Sequence, residues 1–368
     1  MAGIGRCQIL TINIFIMKTS VKVLLLFAAI FSFAACSDDD NSQPVPPDAE
    51  KGGVMYVLNS GDWKSNNSSL TRYNVSTGEA VQGYFEQQNG RCLGNTANDV
   101  IVYGSKMYIA VAGEGTIEVT TLDAKSLRQI ECGAQPRYLV AYGGKVYATY
   151  YDGYVARIDT TSLVVDAKVK VGRNPEQLAV CGNRLFVANS GGMDYNTEIG
   201  YDNTVSVIDL VSFCEVDKIE VALNPANVVS AGDGVFVASY GNYADVPSAL
   251  QYISKGGVQY VLPDACRQMT EICYNSGTLY GFLSQYDANW NATITYISYN
   301  PSTGVVDVPW IKEEQKPVPY KVCAVGGYVC VTASDYMNDG DVYLYDTDGM
   351  LVSKFSAGLN PVKVVAVE

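Results

Sequence analysis

Histidine is absent from the 368 residues, which removes the Ser-His and Cys-His pairs of nucleophilic catalysis and any imidazole metal ligand. Carboxylates, phenols, amines, thiols and backbone remain. Of ten cysteines, Cys92, Cys132, Cys181, Cys214, Cys266, Cys273, Cys323 and Cys330 lie beyond the leader discussed below. None forms a C-x-x-C pair, so a zinc knot is not expected. Several sit inside apolar runs such as Ala179-Val180-Cys181 and Tyr328-Val329-Cys330-Val331, which suits Cys as a small core residue. The run Asp335 to Asp341 has calcium-like composition, but its spacing misses the EF-hand pattern and Asp346 stands where a bidentate Glu belongs, so it reads as a turn. No metal, cofactor or enzymatic activity is expected. A formal charge of -13 opposes nucleic-acid binding, which needs a Lys/Arg surplus on one face.

The chemistry left in quantity is non-covalent recognition. Tyr supplies 27 residues against 10 Phe and 3 Trp. Trp63, Trp290, Tyr195, Tyr201, Tyr240, Tyr243, Tyr286 and Tyr336 fall in segments rich in Asn, Asp and Gly. Tyr and Trp offer wide, rigid contact area with a polar tip, a composition typical of binding loops.

A repeated unit must position those segments. Its clearest copy runs from Glu176 to Pro225: Glu176 to Gly182, Arg184 to Asn189, Asn203 to Asp209 and Lys218 to Val221, closed by Asn224-Pro225. These are four short β runs parted by Gly, Asn, Asp and Pro turn signals. The order recurs in Val100 to Pro136, Tyr138 to Pro175, Val228 to Ala265, Met269 to Pro319 and Val322 to Pro361. The first unit starts at its second strand, Val54 to Asn59, and the tail Pro361 to Val367 has the pattern of the strand it lacks. The expectation is an all-β, seven-bladed β-propeller of four-stranded antiparallel blades, with the first blade completed by the C-terminal strand. An open solenoid would give the tail no reason to mimic an opening strand.

In such blades the connections after strands two and four share one face, and this face holds the long aromatic loops. The polar strand entries Lys363, Asp99, Tyr138, Gln177, Asn227, Glu271 and Lys321 should ring the channel mouth beneath them. The candidate ligand-binding set is therefore Asn59, Trp63, Asp99, Tyr138, Tyr150, Gln177, Asn189, Asn227, Tyr240, Glu271, Tyr286, Trp290, Lys321 and Tyr336, with no catalytic residue.

The N-terminal 52 residues read as an address and a tether. Lys18 and Lys22 precede the apolar run Val23 to Phe33, which is too short to span a bilayer and reads as a signal peptide over residues 1–35. Met17 is the expected start, with residues 1–16 not translated. Residues 36–52 form a flexible acidic and Pro-containing tether, and residues 53–368 form the propeller.

Phe33-Ala34-Ala35-Cys36 resembles the bacterial lipobox, which implies lipidation of Cys36 and a membrane anchor there. Ser37-Asp38-Asp39-Asp40 resembles the surface-export signal of Bacteroidetes lipoproteins, which implies an outer-membrane, cell-surface location. Phe186-Val187-Ala188-Asn189 and Val205-Ser206-Val207-Ile208-Asp209 resemble the YncE/YVTN-type propeller repeat over nearly the whole chain. Within that class the combination resembles the BtuG-type surface lipoproteins. That resemblance implies capture of vitamin B12 (cobalamin) and related corrinoids, and delivery to a TonB-dependent outer-membrane transporter. The rival readings are a propeller that binds a glycan or another small ligand, a structural surface-layer or adhesion protein, and a propeller hydrolase.

Overall fold

The computed structural model describes residues 53–367 except 255, 260–261 and 287–291, with the backbone alone of Gln259 and Tyr286. Seven four-stranded antiparallel sheets form seven blades. Their innermost strands, in blade order one to seven, are Pro361–Val367, Ala97–Tyr103, Pro136–Tyr142, Pro175–Cys181, Pro225–Ala231, Glu271–Asn275 and Pro319–Val325. Each touches the next, and the seventh touches the first, so the ring is closed.

Burial explains why the strands differ in sequence. The second strands Lys106–Val111 and Lys145–Tyr150 are buried at every position after the first, because both of their faces lie against neighbouring blades. A strand covered on both sides reads as a continuous apolar run. The outermost strand Val164–Lys170 instead alternates exposed and half-buried positions, as expected of a sheet edge with one wet face.

The core is accordingly divided among the blade junctions. Tyr56 and Leu58 of blade one pack on Val100 and Ile109 of blade two, while Met55 and Val57 turn to Cys330 and Val342 of blade seven. Adjacent residues of one strand therefore serve two different cores.

Ring closure is a strand exchange between chain ends. Pro361–Val367 pairs antiparallel with Val54–Asn59, with Val57 opposite Val364, and completes blade one in the order expected from the repeat. At the same corner Gly340 lies so close to Ala333 and Pro361 that a Cβ there would stand 2.4 Å from the Ala333 carbonyl oxygen. No side chain fits.

Three of the seven blade-to-blade corners share one arrangement. Asn174, Asn224 and Asn360, each preceding a Pro, adopt positive φ of 43°, 62° and 56°, which Asn tolerates better than most residues. Each side-chain amide donates to a carbonyl in a loop leaving a second strand: Asn174 to Tyr151, Asn224 to Gly241 and Asn360 to Gly61. The corner thus fastens a mouth loop to a strand entry.

Two packing elements were not foreseen. A six-residue helix, Tyr84–Asn89, fills the step from blade one to blade two and buries Phe85. Trp310, outside the candidate set, is buried edge-on against Tyr280, Tyr296 and Tyr345 at centroid distances of 5.1, 6.4 and 5.6 Å.

Removing residues 361–368 would expose Val54–Asn59 as an open edge. The expected outcome is loss of a single cooperative urea transition together with self-association by light scattering. A truncated chain that unfolds like the full one would refute closure as the source of cooperativity.

Candidate functional site

The strand entries meet around the axis, and nearly all are tied to a neighbouring blade. Starting at blade one, Lys363 Nζ stands 3.3 Å from Asp99 Oδ1, and Asp99 Oδ2 accepts the Leu139 backbone N–H at 2.8 Å. Burial pushes the Asp99 carboxyl up, opposed by the Lys363 ammonium, which that carboxylate in turn holds above the usual lysine range. Between blades two and three, Asn98 donates to the Arg137 carbonyl at 2.8 Å and accepts from the Arg137 guanidinium.

Arg137 then spans to blade four, donating to Glu176 Oε2 from Nη2 and Nε at 3.0 and 3.2 Å. Its guanidinium lies 4.3 Å from the Tyr151 ring centroid, and the Tyr151 hydroxyl donates to Glu176 Oε1 at 2.7 Å. Gln177 accepts the Val228 N–H at 3.2 Å across the next junction. Asn227 donates to the Thr270 carbonyl at 3.0 Å and to the Tyr240 hydroxyl at 3.1 Å, and Tyr240 donates to Glu271. Lys321 Nζ meets Glu271 Oε1 at 2.6 Å. Ser334 donates to Asn360 at 2.6 Å, joining blade seven to blade one.

The three ion pairs Lys363–Asp99, Arg137–Glu176 and Lys321–Glu271 bridge the first-to-second, third-to-fourth and sixth-to-seventh junctions. Each buried carboxylate faces a cation, so the mouth is close to neutral within an acidic chain. Such a surface offers hydrogen bonds without a net field.

Two connected hollows lie on the axis. A vestibule of about 260 Å³ opens on the loop face, and a channel of about 610 Å³ runs between the innermost strands below it. Arg137, Tyr138 and Lys321 border both, from blades three and seven, and form the neck between them. Tyr201, Tyr240 and Tyr243 wall the vestibule above blades four and five, with centroid distances of 6.5 Å for Tyr201–Tyr243 and 6.1 Å for Tyr240–Tyr243. Burial raises the Tyr138 and Tyr240 phenols and lifts Tyr243 to about 12, so all three are hydroxyl donors at neutral pH.

Of the sequence-derived set, Asp99, Tyr138, Gln177, Asn227, Tyr240, Glu271 and Lys321 belong to this assembly. Trp63 and Tyr336 stand on the rim, each 64% exposed, Tyr336 edge-on to channel-lining Tyr320 at 5.4 Å. Tyr286 ends the strand Thr278–Tyr286 on the loop face. Trp290 and Cys36 lie outside the described residues.

Three assignments need correction. Asn59 and Asn189 are fully buried at equivalent strand ends, where each donates to two hydroxyls of the third strand: Ser69 and Thr71 for Asn59, Thr204 and Ser206 for Asn189. Asn189 also accepts the Gly172 N–H at 3.1 Å. These residues clamp their blades and offer no amide to a ligand. Tyr150, also fully buried, packs beside the Cys132 thiol in the core between blades two and three, with Lys168 Nζ 4.8 Å from its ring centroid.

The residues missed were Arg137, Glu176, Asn98, Tyr151 and Tyr320. For all but Tyr151 the signal was available one position before the strand entries, a column polar everywhere but Val362 and Ala226. The run Asp335 to Asp341 contains the turn it was read as, with Asp335 accepting the Met337 and Asn338 N–H groups.

No family model and no curated protein matches the chain. Solved structures do. A candidate 6-phosphogluconolactonase from Bacteroides uniformis aligns with a TM-score of 0.62 at 13% identity, over 86% of this chain and 100% of that one. Hydrazine synthase from Kuenenia stuttgartiensis gives 0.57 at 15% over 71% and 86%, and AztD from Citrobacter koseri gives 0.51 at 12% over 86% and 98%. At these identities the likeness concerns the fold alone.

Two substitutions separate frame from mouth. Glu271→Gln leaves Lys321 without its counter-charge and should cost roughly 3 kcal/mol in urea denaturation at neutral pH, and a loss below about 1 kcal/mol would show the pair to be solvated. Asn189→Ala should cost about 1 to 3 kcal/mol by stranding buried hydroxyls, with no change in ligand affinity.

Proposed function

We propose that this chain is a cell-surface ligand-capture lipoprotein, anchored through Cys36, that holds a corrinoid across the propeller mouth for delivery to a TonB-dependent outer-membrane transporter. The observation that carries the reading is the vestibule. Its floor is a ring of paired polar groups and its wall is three tyrosines, with Trp63 and Tyr336 exposed on the same loop face. At about 260 Å³ it is smaller than sites that enclose a drug-sized ligand. A broad ligand therefore rests over it and inserts only a projecting group. A corrin is wide, flat and rimmed with amides, which the Tyr201 and Tyr243 hydroxyls can hydrogen-bond while rings cover its apolar surface.

A second reading, lactone hydrolysis, draws on Glu176 at the vestibule and Glu271 in the channel below, each held between a Tyr hydroxyl and a cation. It is the weaker reading, because a general base must be free to take a proton and both carboxylates are engaged by cations.

Calorimetric titration of the purified protein with cyanocobalamin and cobinamide is expected to give saturable binding at micromolar concentration or tighter. Tyr243→Ala should weaken it by about 1 to 3 kcal/mol, roughly 5- to 150-fold. Absence of saturation would reject the corrinoid, and saturation by an oligosaccharide instead would move the reading to glycan capture. Turnover of 6-phosphogluconolactone, abolished by Glu176→Gln or Glu271→Gln, would establish the hydrolase.

A further inference from the structure

We propose that Cys323 and Cys330 form a redox-active dithiol that undergoes exchange with a low-molecular-weight disulfide admitted through the central channel. The two residues lie on adjacent strands of blade seven, Pro319–Val325 and Tyr328–Ala333, directly opposite one another in the register. The strands are joined by Gly326-Gly327, whose φ values of 55° and 77° give the two-residue hairpin in which both turn residues are left-handed. Val325 and Tyr328 close that turn as a hydrogen-bonded pair, and alternation along the ladder places Cys323 and Cys330 in the same class. Their Cα atoms are then about 5.5 Å apart, inside the roughly 4.4 to 6.8 Å that a disulfide spans.

The pair is asymmetric in the way exchange chemistry requires. Both belong to the core between blades seven and one, where Cys323, 7% exposed, borders the channel and Cys330 is fully buried. The Cys330 thiol opposite it and the Lys363 ammonium hold the Cys323 thiol below the usual cysteine range, against burial and the Asp99 carboxylate. Burial pushes the Cys330 thiol well up, and the neighbouring Cys323 adds to the effect. The thiol held lower is therefore the one that borders the channel. Cys273, on the neighbouring innermost strand, also borders the channel, but burial raises its thiol well above the usual range and it remains protonated. The sequence reading of these cysteines as small core residues holds for Cys330 as for Cys132 and Cys266, and the latter two, whose thiols burial lifts to about 11, do not line the channel.

The Cys323 thiolate attacks one sulfur of R–S–S–R, the S–S bond breaks, and RS⁻ leaves. The Cys330 thiol gives its proton to the departing thiolate and attacks the Cys323 sulfur of the mixed disulfide, expelling the second RS group, which takes up a proton from solvent. The Cys323–Cys330 disulfide forms while R–S–S–R is reduced to two R–SH.

Trypsin places both cysteines on the single peptide 322–354 and no other cysteine with them. The folded, reduced protein is incubated with cystamine, quenched in acid, alkylated and digested. In the wild type this peptide is expected to be lighter by two hydrogens and unalkylated. It should form at a rate at least about tenfold above adduct formation at buried Cys132 or Cys266. Cys330→Ser should instead keep one cysteamine on Cys323, and Cys323→Ser should leave Cys330 reduced. A fully alkylated wild-type peptide, while exposed Cys214 carries cysteamine, overturns the proposal. So does a stable cysteamine adduct on wild-type Cys323. Both of these are read on the unmutated protein, and unfolding it in urea first should abolish the preference for this pair.

Discussion

A blade of this protein cannot exist alone, because its second strand is apolar on both faces. Tyr147 packs toward blade four while Val146 and Ala148, its chain neighbours, pack toward blade two. Each fully buried side chain of this kind contributes about 1.5 to 3 kcal/mol only if both neighbouring blades are in place. An open row would leave two such faces wet at its ends. Closure is therefore a thermodynamic requirement of the strand composition, and Pro361–Val367 meets it by completing the sheet that Val54–Asn59 begins.

Closure also sets the chemistry of the mouth. Seven strand entries brought to one axis crowd polar side chains into partly dry space, where an unpaired charge is costly. The response is pairing from blade to blade: three ion pairs, with amides, hydroxyls and backbone N–H groups at the other junctions. The groups that line the vestibule are also the groups that hold the ring, so the floor is rigid and its donors are fixed before any ligand arrives. The tyrosines above it rest on loops fastened by the corner asparagines, so the wall inherits the register of the frame.

The legible part of this arrangement was whatever repeats. Four β runs per unit, Pro-marked corners and a tail matching a missing strand are local patterns, and each translated directly into an element. The polar column at the strand entries was legible for the same reason. Asn59 and Asn189 were misassigned because a polar residue at the end of an apolar strand has two readings in sequence, a wet strand end or a buried clamp. The hydroxyls that decide between them lie ten to seventeen residues further on. Tyr150 failed likewise, because its strand end faces an interblade core rather than the axis. The helix Tyr84–Asn89 was missed because six residues give too little periodicity to outweigh the surrounding β pattern.

Strand number, blade order and the closing strand are written in local pattern and chain-end complementarity, because hydrophobic alternation and turn chemistry act over a few residues. Partnership across the ring is not so written. Arg137 reaches Glu176 thirty-nine positions away, Glu271 meets Lys321 fifty positions away, and Lys363 meets Asp99 from the far end of the chain. Which charges neutralise one another, which tyrosines share a wall and which cysteine faces the channel depend on the angle and register at which blades pack, and only the assembled ring fixes those distances.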